Sequence, residues 1–314
     1  MYGCSKDQFH VGWICALSIE AAAAMLMLDE IFDDLDGQHK DDTNSYTLGR
    51  IGNHMIVIAC LPHGEYGTNS AATVAANMVN TFSNSLRIGL LVGIGGAIPS
   101  PTDDIRLGDI VISSPKKTYG GVVQHDMGKL QNDFEQTGSL NEPPRSLLTA
   151  VARLESKIQA FGPQYPTFIQ QAIEKSSRGE ADFSRPDQET DKLFNCESEP
   201  VEIRREARDS SRPRLHYGII ASGNQVIRNG IQRDLIGKRT GAICCEMEAA
   251  GLMNSFPCIV IRGICDYSDC HKNKQWQAYA AVTAAAYAKE LLLNIPNRQV
   301  SEEKLVSELC GTRP

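Results

Sequence analysis

The sequence predicts an α/β protein, a three-layer αβα sandwich around a twisted mixed β-sheet, in a single domain. Three observations carry this. Short apolar runs alternate along the chain with alanine-rich or amphipathic runs of helical spacing. Several glycine-rich stretches directly follow an apolar run, which concentrates loops at one sheet edge. The run Cys258–Ile264 (CIVIRGI) is almost continuously apolar and rich in β-branched residues, which suits a central strand covered on both faces.

In chain order, Val11–Leu17 reads as the first strand. Ser18 is the candidate N-cap of a helix Ile19–Phe32 that carries Glu20 in its first turn. Tyr46–Asn53 has the pattern of a hairpin with a Gly52-Asn53 turn, leading into a strand His54–Leu61. A glycine-containing loop from His63 then gives way to an alanine-rich helix capped near Thr68 or Asn69. Leu86–Val92 is a strand ending in a tight GIGGA loop, Gly93–Ala97, and Leu107–Ser113 is another strand. Arg145–Phe161 is an amphipathic helix. Residues 175–214 are highly charged and broken by Arg-Pro pairs, a surface excursion of the same domain. The core resumes at His216–Ala221 and ends with a helix Gln275–Leu293. The domain is assigned to residues 1–297, and 298–314 to a polar tail or linker.

The bulk properties narrow the function. A net charge of −7 over 314 residues argues against a broad nucleic-acid or membrane surface, which needs clustered Lys and Arg. Of the ten cysteines, Cys15, Cys60, Cys244, Cys245, Cys258 and Cys265 lie in apolar runs and read as small hydrophobes. No two C-x2-C pairs face each other at zinc spacing, so neither a metal site nor a cofactor is expected. The opening MYGCSKDQFH lacks an apolar signal region and no apolar run approaches a membrane span, which predicts a reduced, cytoplasmic protein. GIGGA is a poor dinucleotide fingerprint because Pro99 and Pro101 follow where a helix should start. Neither a P-loop nor a G-x-S-x-G elbow occurs.

The stretch Ala242–His271 concentrates the chemistry. Ile243–Cys245 reads as a strand end, Glu246, Met247 and Glu248 open a small-residue helix (EAAGLM), and Pro257 stops it. Asp266 then follows the carboxyl end of the central strand, where open α/β sheets place ligands. Two carboxylate groups delivered to one rim suit work on a polyol or a base.

Together these pieces resemble the purine nucleoside phosphorylase and methylthioadenosine nucleosidase superfamily over residues 10 to about 295. The matching segments, in order, are VGWICALSIEAAAAM, LLVGIGGAIPS with the LGDIVIS strand, ASGNQVI, CEMEAAG and RGICDYSD. The spelling is most similar to the nucleosidase-like domains at the N-termini of fungal NACHT and ankyrin-repeat receptors, some of which cleave adenine from ATP. The resemblance implies a nucleoside phosphorylase-like fold and an N-ribohydrolase acting on a purine nucleoside or nucleotide, with adenine as base and water as nucleophile. It also implies a homo-oligomer, by default a dimer.

Breaking a purine–ribose bond leaves an electron-rich base and an oxocarbenium-like sugar, so an acid must serve N7. Asp266 is the candidate, since a carboxyl group at a closed strand end keeps its proton more readily once desolvated. The resemblance assigns Glu248 to the ribose hydroxyls, Met247 to the sugar face, and Glu20 to the attacking water. Gly95 and Gly96 pack near the sugar, while Ser222, Gly223, Asn224, Val226 and Ile227 form the base segment. Leu91 and Ile94 stand where bacterial phosphorylases place an arginine and a serine, which favours water over phosphate. For a 5′ phosphate the cations are Lys116, Lys117, Lys129, Arg228, Lys272 and Lys274. Two rivals stand beside the hydrolase: a phosphorylase, and a non-catalytic nucleotide-sensing or oligomerisation domain of an immune-type receptor.

Overall fold

The computed structural model describes residues 4–33, 35–130, 134–177, 179–195 and 201–309. Residues 178 and 196–200 of the predicted charged excursion, and 310–314 of the predicted tail, lie outside the described residues.

Ten strands form the main sheet: β1 (Val11–Cys15), β2 (Glu30–Phe32), β3 (Tyr46–Ile51), β4 (His54–Cys60), β5 (Ile88–Ala97), β6 (Ile110–Ser113), β7 (Val122–Gln124), β8 (Leu215–Ser222), β9 (Ala242–Glu246) and β10 (Cys258–Asp266). Their order is β9-β8-β6-β10-β5-β1-β4-β3-β2, with β7 pairing on β8. The sheet is mixed. β10 runs parallel to β5 and antiparallel to β6. A further antiparallel pairing, Cys244↔Ala97 and Cys245↔Gly96, ties β9 back to the end of β5. Strands β5, β10, β6, β8 and β9 therefore close into a ring at that end, and the ring gathers the ends of β5, β8, β9 and β10 at one rim.

Helices cover both faces. A side chain at Gly12 would stand 2.7 Å from Met78 on α2 (Thr68–Thr81), whereas Gly263 lies against the backbone of Ala280 on α6 (Gln277–Asn294). Gly12 pairs with Gly89 and Gly89 with Cys258, so register puts Gly263 on the opposite face from Gly12. Helix α6 is apolar nearly all round and accordingly buried. Around it pack α1 (Ser18–Met27), the predicted amphipathic α3 (Arg145–Phe161) and α4 (Tyr165–Ser176), a helix the sequence pattern did not single out. α5 (Gly230–Thr240) packs on β8 and β9.

Three elements differ from their sequence expectation. Helix α1 begins after Leu17, without Ser18 as cap, and stops at Met27. Glu20 turns back to accept the Ala16 and Leu17 N–H groups, which does the work of a cap, and Glu30–Phe32 pairs with β3 instead of continuing the helix. GIGGA is no loop but the second half of β5, in register with Arg262–Asp266. Its glycines disfavour a strand by propensity, but closely packed neighbours demand them. EAAGLM is only one 3₁₀ turn, Ala249–Gly251, and its Gly251 is pressed against the Thr68 backbone, where no side chain fits.

Beyond α6, α7 (Asn297–Glu302) and α8 (Val306–Leu309) bury Val300 and Val306, and the Val306 N–H donates to the Leu86 carbonyl at 2.9 Å. The charged excursion is pinned to the domain by the ion pair from Arg208 to Asp109 at 2.8 Å and by Arg205, which donates to the Ile105 carbonyl at 3.3 Å. No helix among the described residues is long and apolar enough to cross a membrane.

Candidate active site

The centre of the rim is a charge that the apolar pattern hides. Arg262 sits in the middle of β10 with 0% exposure. Its Nη2 donates to Glu246 and, at 3.3 Å, to Glu248 Oε2. Its Nη1 lies 3.5 Å from the Ile94 carbonyl. An unpaired buried cation is prohibitively costly, so this one strand residue fixes both ends of the EME segment.

Glu20 joins the cluster from the start of α1. Its Oε2 accepts from Ala16 N at 2.7 Å and Leu17 N at 3.0 Å, and its Oε1 from Ile94 N at 2.8 Å. Two lone pairs per oxygen leave one free on Oε1. A side chain at Gly93 would stand 2.6 Å from Arg262 Nη1 and from the Glu20 carboxyl carbon, which is why the strand is glycine there. Burial raises the Glu20 carboxyl above its ordinary value, opposed by Arg262 and the three backbone donors.

Glu248 follows β9. Its Oε1 accepts from Gly67 N at 3.2 Å, at the start of α2, and its Oε2 from Arg262. Burial pushes its carboxyl up to about 7, with Glu246 and Glu20 adding to the rise and Arg262 opposing it. Glu246 caps the following turn through the Glu248 and Ala249 N–H groups, at 3.1 and 3.0 Å.

Asp266 ends β10, paired directly with Gly96 after a shift in register beyond Ile264. Its Oδ1 accepts from Ser268 N at 2.8 Å. Its Oδ2 faces Lys272 Nζ at 3.1 Å and the Cys265 thiol at 3.1 Å. A side chain at Gly96 would stand 2.6 Å from Asp266 Oδ1.

The base segment divides. Ser222 is buried and accepts from Ala250 N at 2.9 Å, and Gly223 lies under the His125 ring. Asn224 spends its carbonyl oxygen on Thr68, from both N and Oγ1 at 3.0 Å, and so holds the start of α2. Val226 is 46% exposed, while Ile227 is packed in an apolar cluster with Ile98, Ile219 and Ile236. Met247 is half-buried, and Gly95 is wedged against Cys244.

A profile of the Phosphorylase superfamily matches residues 10–293. The chain belongs to that superfamily. Over 312 residues it is 49% identical to a nucleotide-binding leucine-rich repeat (NLR)-like protein of Hyaloscypha variabilis, covering 96% of this chain and 31% of that protein. It therefore spans under a third of that relative. It is 23% identical to a 5'-methylthioadenosine/S-adenosylhomocysteine nucleosidase of Mycobacterium bovis, covering 91% of this chain and 96% of the relative. Among solved structures, the Helicobacter pylori 5'-methylthioadenosine/S-adenosyl homocysteine nucleosidase superposes with a TM-score of 0.61 at 16% identity, covering 91% of this chain and 98% of that one.

In this Phosphorylase superfamily chain the fold thus brings Glu20, Glu248, Gly95, Gly96, Ser222 and Asp266 to one rim. Sequence reasoning missed Arg262, Glu246 as a ligand of Arg262, and Lys272 as a partner of Asp266. Arg262 had a signal, as the lone charge inside CIVIRGI. Lys272 had none to separate it from Lys274. A cavity of about 870 Å³ lies elsewhere, between α5, residues 98–106 and Arg205; none of the rim carboxylates lines it.

Proposed function

We propose that this chain is a purine N-ribohydrolase that breaks the bond between adenine and ribose in a nucleoside or nucleotide, with water as nucleophile. One observation carries the reading. Three buried carboxyl groups, Glu20, Glu246 and Glu248, surround a single guanidinium, Arg262. With all three ionised the cluster holds two negative charges in excess. Such a site favours a sugar that becomes cationic as its base departs.

Roles follow from the free lone pairs. Glu248 keeps one on each oxygen for ribose hydroxyls. The free pair on Glu20 Oε1 holds a water and takes its proton. Asp266, with Ser268 N on Oδ1 and with Lys272 and Cys265 on Oδ2, is the acid for N7 of the purine. Phosphate is a poor nucleophile for this rim: the Ile94 N–H is already spent on Glu20, and Arg262 is already paired with the carboxylates of Glu246 and Glu248. The nucleosidase names of the Mycobacterium bovis and Helicobacter pylori proteins support the same class of reaction.

A second reading draws on the NLR-like relative, of which this chain spans 31%: a nucleotide-sensing or assembly module without turnover. The test is chromatography of products after incubation with adenosine, AMP, ATP, methylthioadenosine, inosine and guanosine, with and without phosphate. Free adenine and an unphosphorylated C1 hydroxyl, formed equally fast in either buffer, are expected. Ribose 1-phosphate as main product would establish the phosphorylase, and nucleotide binding without product the sensor.

A further inference from the structure

Lys272 is one of six cations the sequence offers for a substrate phosphate, yet the structure seats it on the acid. Its Nζ lies 3.1 Å from Asp266 Oδ2, its side chain is 28% exposed, and among the described residues no other carboxylate lies within 4.0 Å of that nitrogen. With N7 of the purine at Asp266, as in the reading above, the ring covers the pair. Asp266 is already buried, so a ring laid over the pair removes the water that remains on Lys272, and the neutral pair, amine plus carboxylic acid, then gains on the ionic one.

We propose that Lys272 is the proton source of Asp266, an inference that rests on the N-ribohydrolase reading above. When substrate covers the pair, a proton passes from Lys272 Nζ to Asp266 Oδ2, and the hydroxyl so formed turns about its C–O bond toward the purine. The acid so formed gives that proton to N7 of the purine as the C1′–N9 bond breaks and its electron pair moves onto the base. Asp266 returns to the carboxylate, and Lys272, open to solvent on one side, takes a replacement proton from water. Lys272 acts through Asp266 and is a positioning residue in that sense.

The surroundings leave this route open. The Cys245 thiol is pushed up to about 12 chiefly by burial, and burial also holds the Cys265 and Cys244 thiols well above their ordinary values, so none competes as an acid. Glu246 is engaged with Arg262. Asp269 faces Arg233 at 3.8 Å and His271 at 3.9 Å. Before substrate covers the pair, Asp266 and Cys265 outweigh the burial that opposes the charge on Lys272 and raise the ammonium above its ordinary value, so the proton stays on Lys272 until then.

The test compares pH–rate profiles of the wild type, Lys272→Met, Lys272→Arg and Asp266→Asn on adenosine or on the best purine substrate found, with melting curves for each. An arginine keeps the charge but does not give up a proton in a protein. The wild type should hold its kcat on the alkaline side, while Lys272→Met should lose kcat as pH rises, by about tenfold per pH unit along that limb, with little change in KM. Lys272→Arg should fold and bind but lose kcat nearly as far. A loss of equal size at every pH, or full rescue by arginine, would overturn the proton-source role and leave the hydrolase reading standing. A wild type that releases no purine base would overturn both.

Discussion

Glu248 and Arg262 meet at 3.3 Å inside the protein, one from the turn after β9 and the other from the middle of β10. The same guanidinium also holds Glu246 and faces Glu20, so three elements distant in sequence share one buried charge. Much of the chemistry at the rim follows from this arrangement, and it can be tested residue by residue.

Asp266→Asn keeps the shape of the rim but delivers no proton. Turnover of purine ribosides should drop by ~10²–10⁴-fold, with substrate binding largely kept. Single-turnover kinetics and equilibrium binding separate the two, and more than half the wild-type rate would remove Asp266 from the mechanism.

Glu248 must be ionised to accept the ribose hydroxyls, and its carboxyl is raised to about 7. The kcat/KM of the free enzyme should therefore rise with pH through about 7, and Glu248→Gln should abolish that limb. The stability sign is opposite. With the folded value above the ordinary 4.5, this group's contribution is present below 4.5 and lost as pH rises through about 7. Wild type should prefer a riboside to its 2′-deoxy analogue by roughly 1.5–3 kcal/mol, the worth of a hydrogen bond to a charged group. No preference would displace Glu248 from the sugar.

Arg262→Met leaves Glu20, Glu246 and Glu248 buried without their cation. Breaking a buried ionic cluster on one side costs ~3–5 kcal/mol, which urea unfolding at pH 8 should show. The loss should shrink at pH 5, where the carboxyl groups can take protons. Equal stability to wild type at pH 8 would refute the cluster.

Gly96→Ala puts a methyl hard against Ser268 Oγ and 2.6 Å from Asp266 Oδ1, so Ser268 and the carboxyl it hydrogen-bonds must shift together. A displacement of about 1 Å at a reacting group can cost ~10²-fold in rate, so kcat should fall by that order while the fold survives. An unchanged kcat would mean that Asp266 is not held against this strand.

The sequence alone determined the class of the fold and most of its elements, because apolar periodicity and glycine punctuation are local. The hairpin Tyr46–Ile51 and His54–Cys60, helix α3 and the buried strand from Cys258 all stand close to where the pattern put them. It also marked Glu20, Glu248 and Asp266 as acids near strand ends. Tertiary structure alone decided what these acids face. GIGGA is a strand because Glu20, Arg262, Cys244 and Asp266 crowd its backbone, and propensity says nothing about crowding from distant residues. Arg262 joins Glu246 and Glu248 only once β9 and β10 are both tied to β5, and Lys272 reaches Asp266 only through the turn after β10. Coulomb attraction and desolvation depend on distance in space, and a chain in one dimension does not carry that distance.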